Sequence, residues 1–360
     1  MESLRPEGNL IVTLFNGFGD VFLALPVLRE IGRRFAKRKV YLATYSECAD
    51  LFFRDFDFKF LRPICPPNNE HMIVALRDDL ESLDIQQSVS LNYYVPNSVD
   101  MELACLHPSS PRKAFFDVAG NRLVRRGGRH MRDLYFDVPG WEPRYSLLDR
   151  QVFIPPEQIE KFSFLHQRWV SENGERVYAL HLDTNHKKMW SVEKWIEVVS
   201  HIWLRWKAWP IVLGKETESS LRLQQVFSFV RKLSCETMST HFAAVKLADV
   251  FVGIDSIFAH VADSYSKPMA VLYGPTDLSL WGPLSPEAFV ITPDDGTEMK
   301  RISANKVISA VDRALDYAYG TRFDQCRLSL GPTLGETRAS TNQEILSPHA
   351  TPMLTANVQQ

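Results

Sequence analysis

The segment Val250-Phe-Val-Gly-Ile-Asp-Ser-Ile-Phe-Ala-His260, with Pro268-Met-Ala-Val-Leu-Tyr-Gly-Pro-Thr-Asp277 just after it, constrains the fold more than any other part of this chain. A short apolar run ends in two polar residues, helix-spaced apolar residues follow, and a second apolar run stops at Gly-Pro. That is the pattern of strand, polar turn, short helix and strand. Asp255 and Ser256 fall where the strand gives way to the helix, so either can N-cap it. A helix N-terminus offers unpaired N–H groups and a positive dipole end, which suit a phosphate. Open α/β sheets bind their ligands at this carboxyl edge. An ordinary capped helix explains the same residues without any ligand.

The alternation extends along the chain. Leu10–Phe15 reads as a strand, Asn16-Gly-Phe-Gly-Asp20 as a turn, Val21–Phe35 as a helix and Val40–Thr44 as a second strand, which makes a βαβ unit at the start. Weaker signals place a helix near Glu47–Phe53 and strands near Phe58–Leu61 and Val89–Leu91. The Pro/Gly density of Pro139-Gly-Trp-Glu-Pro-Arg144 suggests a linker, and Pro155-Pro156 opens a helix over Glu157–Ser171. Beyond it the pattern predicts strand Val177–Leu182, helix Val192–Trp206, strand Pro210–Leu213, a helix near Ser219–Arg231, strand Met269–Tyr273 and a closing helix Ser303–Tyr319. A length of 360 residues suggests two domains. Alternation in both halves predicts that each is doubly wound α/β, with residues 1–145 and 146–320 as the units. Residues 321–360 are rich in Ser, Thr, Pro, Gly and Gln without an apolar period, and are expected to be a disordered tail.

Hydrophobic residues at 45% and charged residues at 23% are ordinary for a globular protein. A net charge of −2 gives no overall field pointing to nucleic acid. The longest apolar runs, Leu10–Phe15 and Val21–Leu28, are too short to span a bilayer. Met1-Glu-Ser-Leu-Arg-Pro-Glu7 lacks the basic start and apolar core of a signal peptide. Cys48, Cys65, Cys105, Cys235 and Cys326 are scattered and never form C-x-x-C, which fits reduced thiols in a cytoplasm rather than disulfides or a zinc site.

Three constellations could carry chemistry. In Asn16–Asp20 two glycines permit a tight turn, and Asp20 at the mouth of the first strand can cap a helix or accept a proton. Pro26 lies too deep in the expected helix for a first-turn proline and predicts a kink. His181-Leu-Asp-Thr-Asn-His-Lys-Lys-Met-Trp-Ser-Val-Glu-Lys-Trp195 runs from a strand end through a polar loop into a helix. Lys187 and Lys188 would project toward the sheet edge that holds Asp255, where an ammonium suits a phosphate. Solvation explains two loop lysines equally well, and packing explains Trp190 and Trp195. The third is the basic run Arg112, Lys113, Arg122, Arg125, Arg126, Arg129 and Arg132, which could meet an anionic acceptor or head groups, or be a solvated loop. P-loop, H-E-x-x-H and G-x-S-x-G patterns are absent from the sequence.

In three separated segments the chain resembles the heptosyltransferases of glycosyltransferase family 9. Gly19-Asp20…Pro26…Leu28-Arg29 is similar to that family's N-terminal signature. Thr184 through Lys188, Trp190 and Trp195 resemble its donor loop. Asp255-Ser256…His260…Lys267-Pro268…Gly274-Pro275-Thr276 resembles its C-terminal run. The resemblance covers roughly residues 9–320. It departs from the family at Ile257, where glycine is usual and a β-branched side chain could crowd a phosphate.

The resemblance implies the GT-B fold, two Rossmann-like domains facing a central cleft. It also implies metal-independent, inverting transfer of a sugar, heptose by default, from a nucleotide-diphosphate donor. Asp20 would be the general base, and Lys188 would stabilise the departing diphosphate. Gly19, Thr184, Asp255, Ser256, His260, Gly274, Pro275 and Thr276 would bind the donor. The nucleotide sugar is a co-substrate and no cofactor is implied. Implied partners are that donor and an anionic glycan or glycolipid acceptor such as lipopolysaccharide core, in the cytoplasm with peripheral contact at the inner membrane. A non-catalytic nucleotide-sugar binder and a nucleotide-sugar epimerase remain the alternative readings.

Overall fold

A computed structural model of the chain describes residues 3–61, 77, 79–93, 98–107, 110–117, 119, 121–125, 127–233 and 235–329, the last of these, from 321, as backbone only. Arg126, Cys65 and the tail beyond 329 lie outside the described residues. Residues 1–320 form one compact unit.

That unit contains two parallel sheets. The first is five-stranded, with strands β1 (Leu10–Leu14), β2 (Val40–Thr44), β3 (Lys59–Leu61), β4 (Gln87–Ser90) and β5 (Arg112–Ala114) in the order β3-β2-β1-β4-β5. The second is six-stranded, with β6 (Val177–His181), β7 (Trp209–Val212), β8 (Arg231–Lys232), β9 (Val250–Ile254), β10 (Met269–Leu272) and β11 (Ala288–Ile291) in the order β11-β10-β9-β6-β7-β8. The central strands β1, β2, β6, β9 and β10 are buried along their whole length, as strands covered on both faces must be. Strand order reverses beside β1 in the first sheet and beside β6 in the second, the crevices where doubly wound sheets bind ligands.

The expected βαβ start is present, with one change. The helix breaks at Ala24 into Phe18–Leu23 and Leu25–Arg34, so Pro26 falls in the first turn of a new helix and blocks no internal hydrogen bond. Helix Val192–Trp206 matches its expected bounds. The helix near Ser219–Arg231 is shorter than expected: it ends at Val226, and Arg231 and Lys232 form the edge strand β8. The closing helix runs over Ala304–Ser329, past the expected start of the tail at 321. Helices Met131–Asp137 and Met238–Leu247 and strand β11 have too little periodic signal to be read from sequence.

The two sheets share one hydrophobic core. Phe52, from the helix Ser46–Phe52, stacks on Phe242 at 6.1 Å, and Phe22 stacks on His260 at 6.5 Å. A charged hub joins them as well. Asp263 is 1% exposed and accepts from Arg132 at 3.2 Å, Arg150 at 3.0 Å and the N–H groups of Leu284 and Ser285 at 2.8 and 2.7 Å. Removing Asp263 would leave buried positive charge uncompensated, typically at a cost of about 3–5 kcal/mol. The basic run is therefore not a uniform solvated loop. Arg132 is buried in this hub, Arg129 pairs with Asp137 at 2.7 Å, and Arg122 lies over Phe116 at 4.6 Å.

Candidate active site

The carboxyl edges of both sheets face one cleft of about 530 Å³, lined by Gly17, Gly19, Asp20, Thr184, Asn185, Lys188, Asp255, Ser256, Ile257, His260, Pro275, Thr276, Asp277 and Trp281. Every site residue expected from sequence lines it save Gly274. Gly274 packs behind the wall: a Cβ there would sit 2.7 Å from the Thr297 carbonyl oxygen and 2.9 Å from Met299 Sδ. Close packing, rather than contact with a ligand, accounts for that glycine.

Asp20 lies in the first turn of Phe18–Leu23, whose N-cap is Gly17. It does not occupy the cap position. Its carboxylate instead accepts from the Gly17 N–H, the acid's half of a capping box. Removal from water pushes the Asp20 carboxyl up from 3.8 to about 6. The Lys188 ammonium and the Gly17 N–H pull against that shift, and the nearby Asp255 carboxylate adds to it. A carboxylate poised there can take a proton near neutral pH. Gly19 brings this loop against the helix Ile257–Ser264: its Cβ, if present, would lie 3.4 Å from the His260 ring.

Lys188 is placed by its neighbours in sequence. Asn185 caps a single turn of 3-10 helix, His186–Lys188, by accepting from the Lys187 N–H at 3.1 Å. Two residues on, Trp190 is buried, donates to the Ile302 carbonyl at 3.0 Å and packs edge-on against Trp195 at 4.8 Å. Cap and anchor together aim the Lys188 ammonium at Asp255, 2.5 Å away. Lys187 is exposed and outside the cleft lining, so only one of the two lysines behaves as expected.

Asp255 directly follows β9, and its N–H is tied to the Leu272 carbonyl of β10 at 2.9 Å. Its carboxylate also accepts from the Thr276 hydroxyl. Ser256 occupies the N-cap position of Ile257–Ser264, but its side chain does not cap. The Ser256 hydroxyl oxygen is buried and has no hydrogen-bond partner among the described residues, directly at the helix N-terminus in the cleft wall. Burying a hydroxyl unpaired costs free energy, which an anion in the cleft would offset. His260 is 6% exposed and held below the ordinary histidine range, chiefly by burial, although Asp255 and Asp263 pull it up. In its neutral form the ring offers one donor and one acceptor.

Sequence reasoning missed Asn185, Asp277 and Trp281 in the cleft wall. The asparagine carries a legible signal, a cap residue at the start of the lysine turn. Among the described residues no three His, Cys, Asp or Glu side chains converge as metal ligands would. No described helix is long and apolar enough to cross a membrane.

Two parallel sheets facing one cleft, with an acid on one edge and a cation at a helix N-terminus on the other, define a GT-B architecture. Residues 157–309 match the family model described as glycosyltransferase family 9 (heptosyltransferase), which bears out the resemblance over that segment, where the donor-loop and C-terminal motifs lie. Over 158 residues the chain is 27% identical to lipopolysaccharide heptosyltransferase 1 of Escherichia coli O18:K1:H7 (strain RS218 / NMEC), covering 41% of this chain and 46% of that protein. The matched segment thus spans less than half the length of that curated relative. The fold is that of a family 9 glycosyltransferase from Veillonella parvula DSM 2008, with a TM-score of 0.68 at 17% identity over 88% of this chain and 98% of the other. It is equally that of E. coli ADP-heptose lps heptosyltransferase II, with a TM-score of 0.68 at 15% identity over 87% and 99%.

Proposed function

We propose that this chain is a metal-independent, inverting glycosyltransferase that moves a sugar, heptose by default, from a nucleotide-diphosphate donor to an acceptor hydroxyl, with lipopolysaccharide core as the default acceptor. The observation that carries this reading is the pairing across the cleft: a raised-pKa Asp20 on one side, and Lys188, Asp255 and the buried Ser256 hydroxyl on the other. Residues 1–145 would supply the acceptor side and residues 146–320 the donor side.

In this mechanism Asp20 takes the proton of the acceptor hydroxyl as its oxygen attacks the anomeric carbon. The bond from that carbon to the diphosphate breaks on the opposite face, and its electron pair goes to the phosphate oxygen, so the centre inverts. Negative charge then builds on the diphosphate. An ammonium has three N–H donors, so Lys188 keeps two for phosphate while bonded to Asp255. The Ser256 hydroxyl and the N–H groups opening the helix at Ile257 complete the seat. Asp255 and His260 would fix the donor, and Pro275 and Thr276 its nucleotide side. The expected setting is the cytoplasm, with contact at the inner membrane when the acceptor is a glycolipid.

The family's E. coli structure is named for ADP-heptose, which makes ADP the first nucleotide to try. ADP, GDP and UDP should each be scored for the rise in melting temperature they cause, since binding stabilises by mass action. Donor turnover with and without acceptor then separates the readings. A transferase needs the acceptor, an epimerase consumes donor without it, and a binder that has lost activity at Ile257 does neither.

A further inference from the structure

Beneath the Asp20 loop lies a buried polar network that the cleft chemistry does not use directly. Asp100, from the helix Ser98–Leu106, is 1% exposed and accepts from the Thr13 hydroxyl at 2.6 Å, the Ser90 hydroxyl at 2.9 Å and the Asn92 amide at 2.9 Å. The same Asn92 amide nitrogen lies 3.1 Å from both the Thr13 and the Ser90 hydroxyl oxygens. With its amide nitrogen committed in this way, Asn92 turns its carbonyl oxygen outward, where it accepts the Phe15 backbone N–H at 2.6 Å. One residue on, the Asn16 side chain donates to the Leu91 carbonyl at 3.0 Å and to the Tyr135 hydroxyl at 3.3 Å.

The site of this network is informative. Thr13 lies in β1 and Ser90 in β4, with Asn92 just beyond, so it closes the carboxyl edge where the strand order of the first sheet reverses. Its outward bond falls on Phe15, and the neighbouring Asn16 is held separately by the Leu91 carbonyl and the Tyr135 hydroxyl; these are the last residues before Gly17-Phe-Gly-Asp20. The loop's glycines give it backbone freedom. Two buried asparagines remove that freedom at its root, since bonds within a buried polar network are stronger than in water and hold their members in place.

We propose that Asn92, oriented by Asp100, is a positioning residue for Asp20: it fixes the Phe15–Asp20 loop so that the carboxylate faces the cleft. This rests on the reading of Asp20 as the base. Misplacing a reacting group by about 1 Å can cost on the order of 100-fold in rate.

The test uses the full chain, with ADP-heptose as donor probe and heptose-deficient lipopolysaccharide as acceptor probe. Asn92→Ala should lower turnover about 10- to 100-fold while ADP affinity stays within about twofold. Placed on top of Asp20→Asn, the same change should do almost nothing further, because residues that act through one group are non-additive. Amide hydrogen exchange over residues 15–20 should accelerate in Asn92→Ala, while that of β6 and β9 does not. Thr13→Val, which keeps shape and removes one hydroxyl, should show the same pattern more weakly and serves if Asn92→Ala folds poorly. Unchanged exchange over 15–20, or an equal loss of turnover with and without Asp20, overturns the inference. A silent Asp20→Asn beside an active wild type breaks the proposed function instead.

Discussion

The cleft sets two aspartates against each other, and they are held in opposite ways. Asp255 sits directly after β9 with an ammonium at 2.5 Å and a threonine hydroxyl on the same carboxylate. Among the described residues Asp20 has no cation in hydrogen-bond contact; it has one backbone N–H, partial burial, and Lys188 only through space, and its carboxyl is pushed up to about 6. On the proposed reading the same residue type serves as an anchor on one side and a proton acceptor on the other. Environment, not identity, divides the two roles.

Asp20→Asn is the sharpest way to break that contrast. It keeps shape and removes the basic electron pair, so turnover should fall by about 10²–10⁴-fold. ADP affinity, read by calorimetry, should change little. In the wild type, turnover should fall as pH drops through about 6, because protonated Asp20 cannot accept a proton. Turnover within a few-fold of wild type would leave Asp20 as a helix-start residue only.

On the other side, Lys188→Ala should weaken ADP binding by about 1.5–3 kcal/mol, the worth of a charge-assisted hydrogen bond. Lys187→Ala should scarcely matter. Because the Lys188 ammonium holds the Asp20 carboxyl down, its removal should also move the acid limb of the rate profile above pH 6. Equal small effects from both lysines would return the pair to solvated loop.

The third expectation concerns stability. The Asp20 pKa is raised on folding, so its contribution is complete below the unfolded value of 3.8 and is lost as pH rises through about 6. At pH 7 the folded protein therefore carries a desolvated carboxylate that asparagine would remove. Asp20→Asn should be more stable than wild type by about 1–3 kcal/mol at pH 7, with the gain vanishing near pH 4. Denaturant unfolding at both pH values reads this, and a less stable variant at pH 7 would contradict the assigned environment. Activity and stability would then oppose each other at one atom.

The smallest expected effect is at Ile257, which lines the cleft where the resemblance calls for glycine. Ile257→Gly should cost roughly 0.5–1 kcal/mol of stability from added backbone freedom. If the side chain crowds the phosphate seat, the variant should nevertheless bind ADP more tightly or accept GDP and UDP as well. Titration of both proteins with the three nucleotides decides between crowding and indifference.

Periodicity and turn chemistry were enough to place the units that hold the site. The run Leu10–Phe15 with Asn16–Asp20, the polar loop 183–188 before an amphipathic helix, and the step from β9 into Ile257–Ser264 were all legible, because each couples a burial pattern to a cap or breaker within a dozen residues. Helices Met131–Asp137 and Met238–Leu247 were not. The second has six buried residues spread around it, His241 and Thr240 among them, so no polar face marks its period. The capping expectation at Ser256 named the right helix start and the wrong contact, whereas Asp20 caps from the third helical position instead of the cap position itself. Sequence shows that a residue can cap; whether its oxygen turns to the backbone or to the cleft depends on what lies opposite.

What the sequence determined alone is therefore local: two runs of alternating strands and helices, and which loops end at a carboxyl edge. The tertiary structure decided the pairings. Lys188 meets an aspartate 67 residues away, Asn92 holds an amide 77 residues away, and Arg132 meets Asp263 across 131 residues. Hydrophobic spacing reports which face of an element is buried, but not which other element buries it. Coulombic and hydrogen-bond partners are chosen only once the strand order, β1 beside β4 and β6 beside β9, has brought distant chain segments to the same edge.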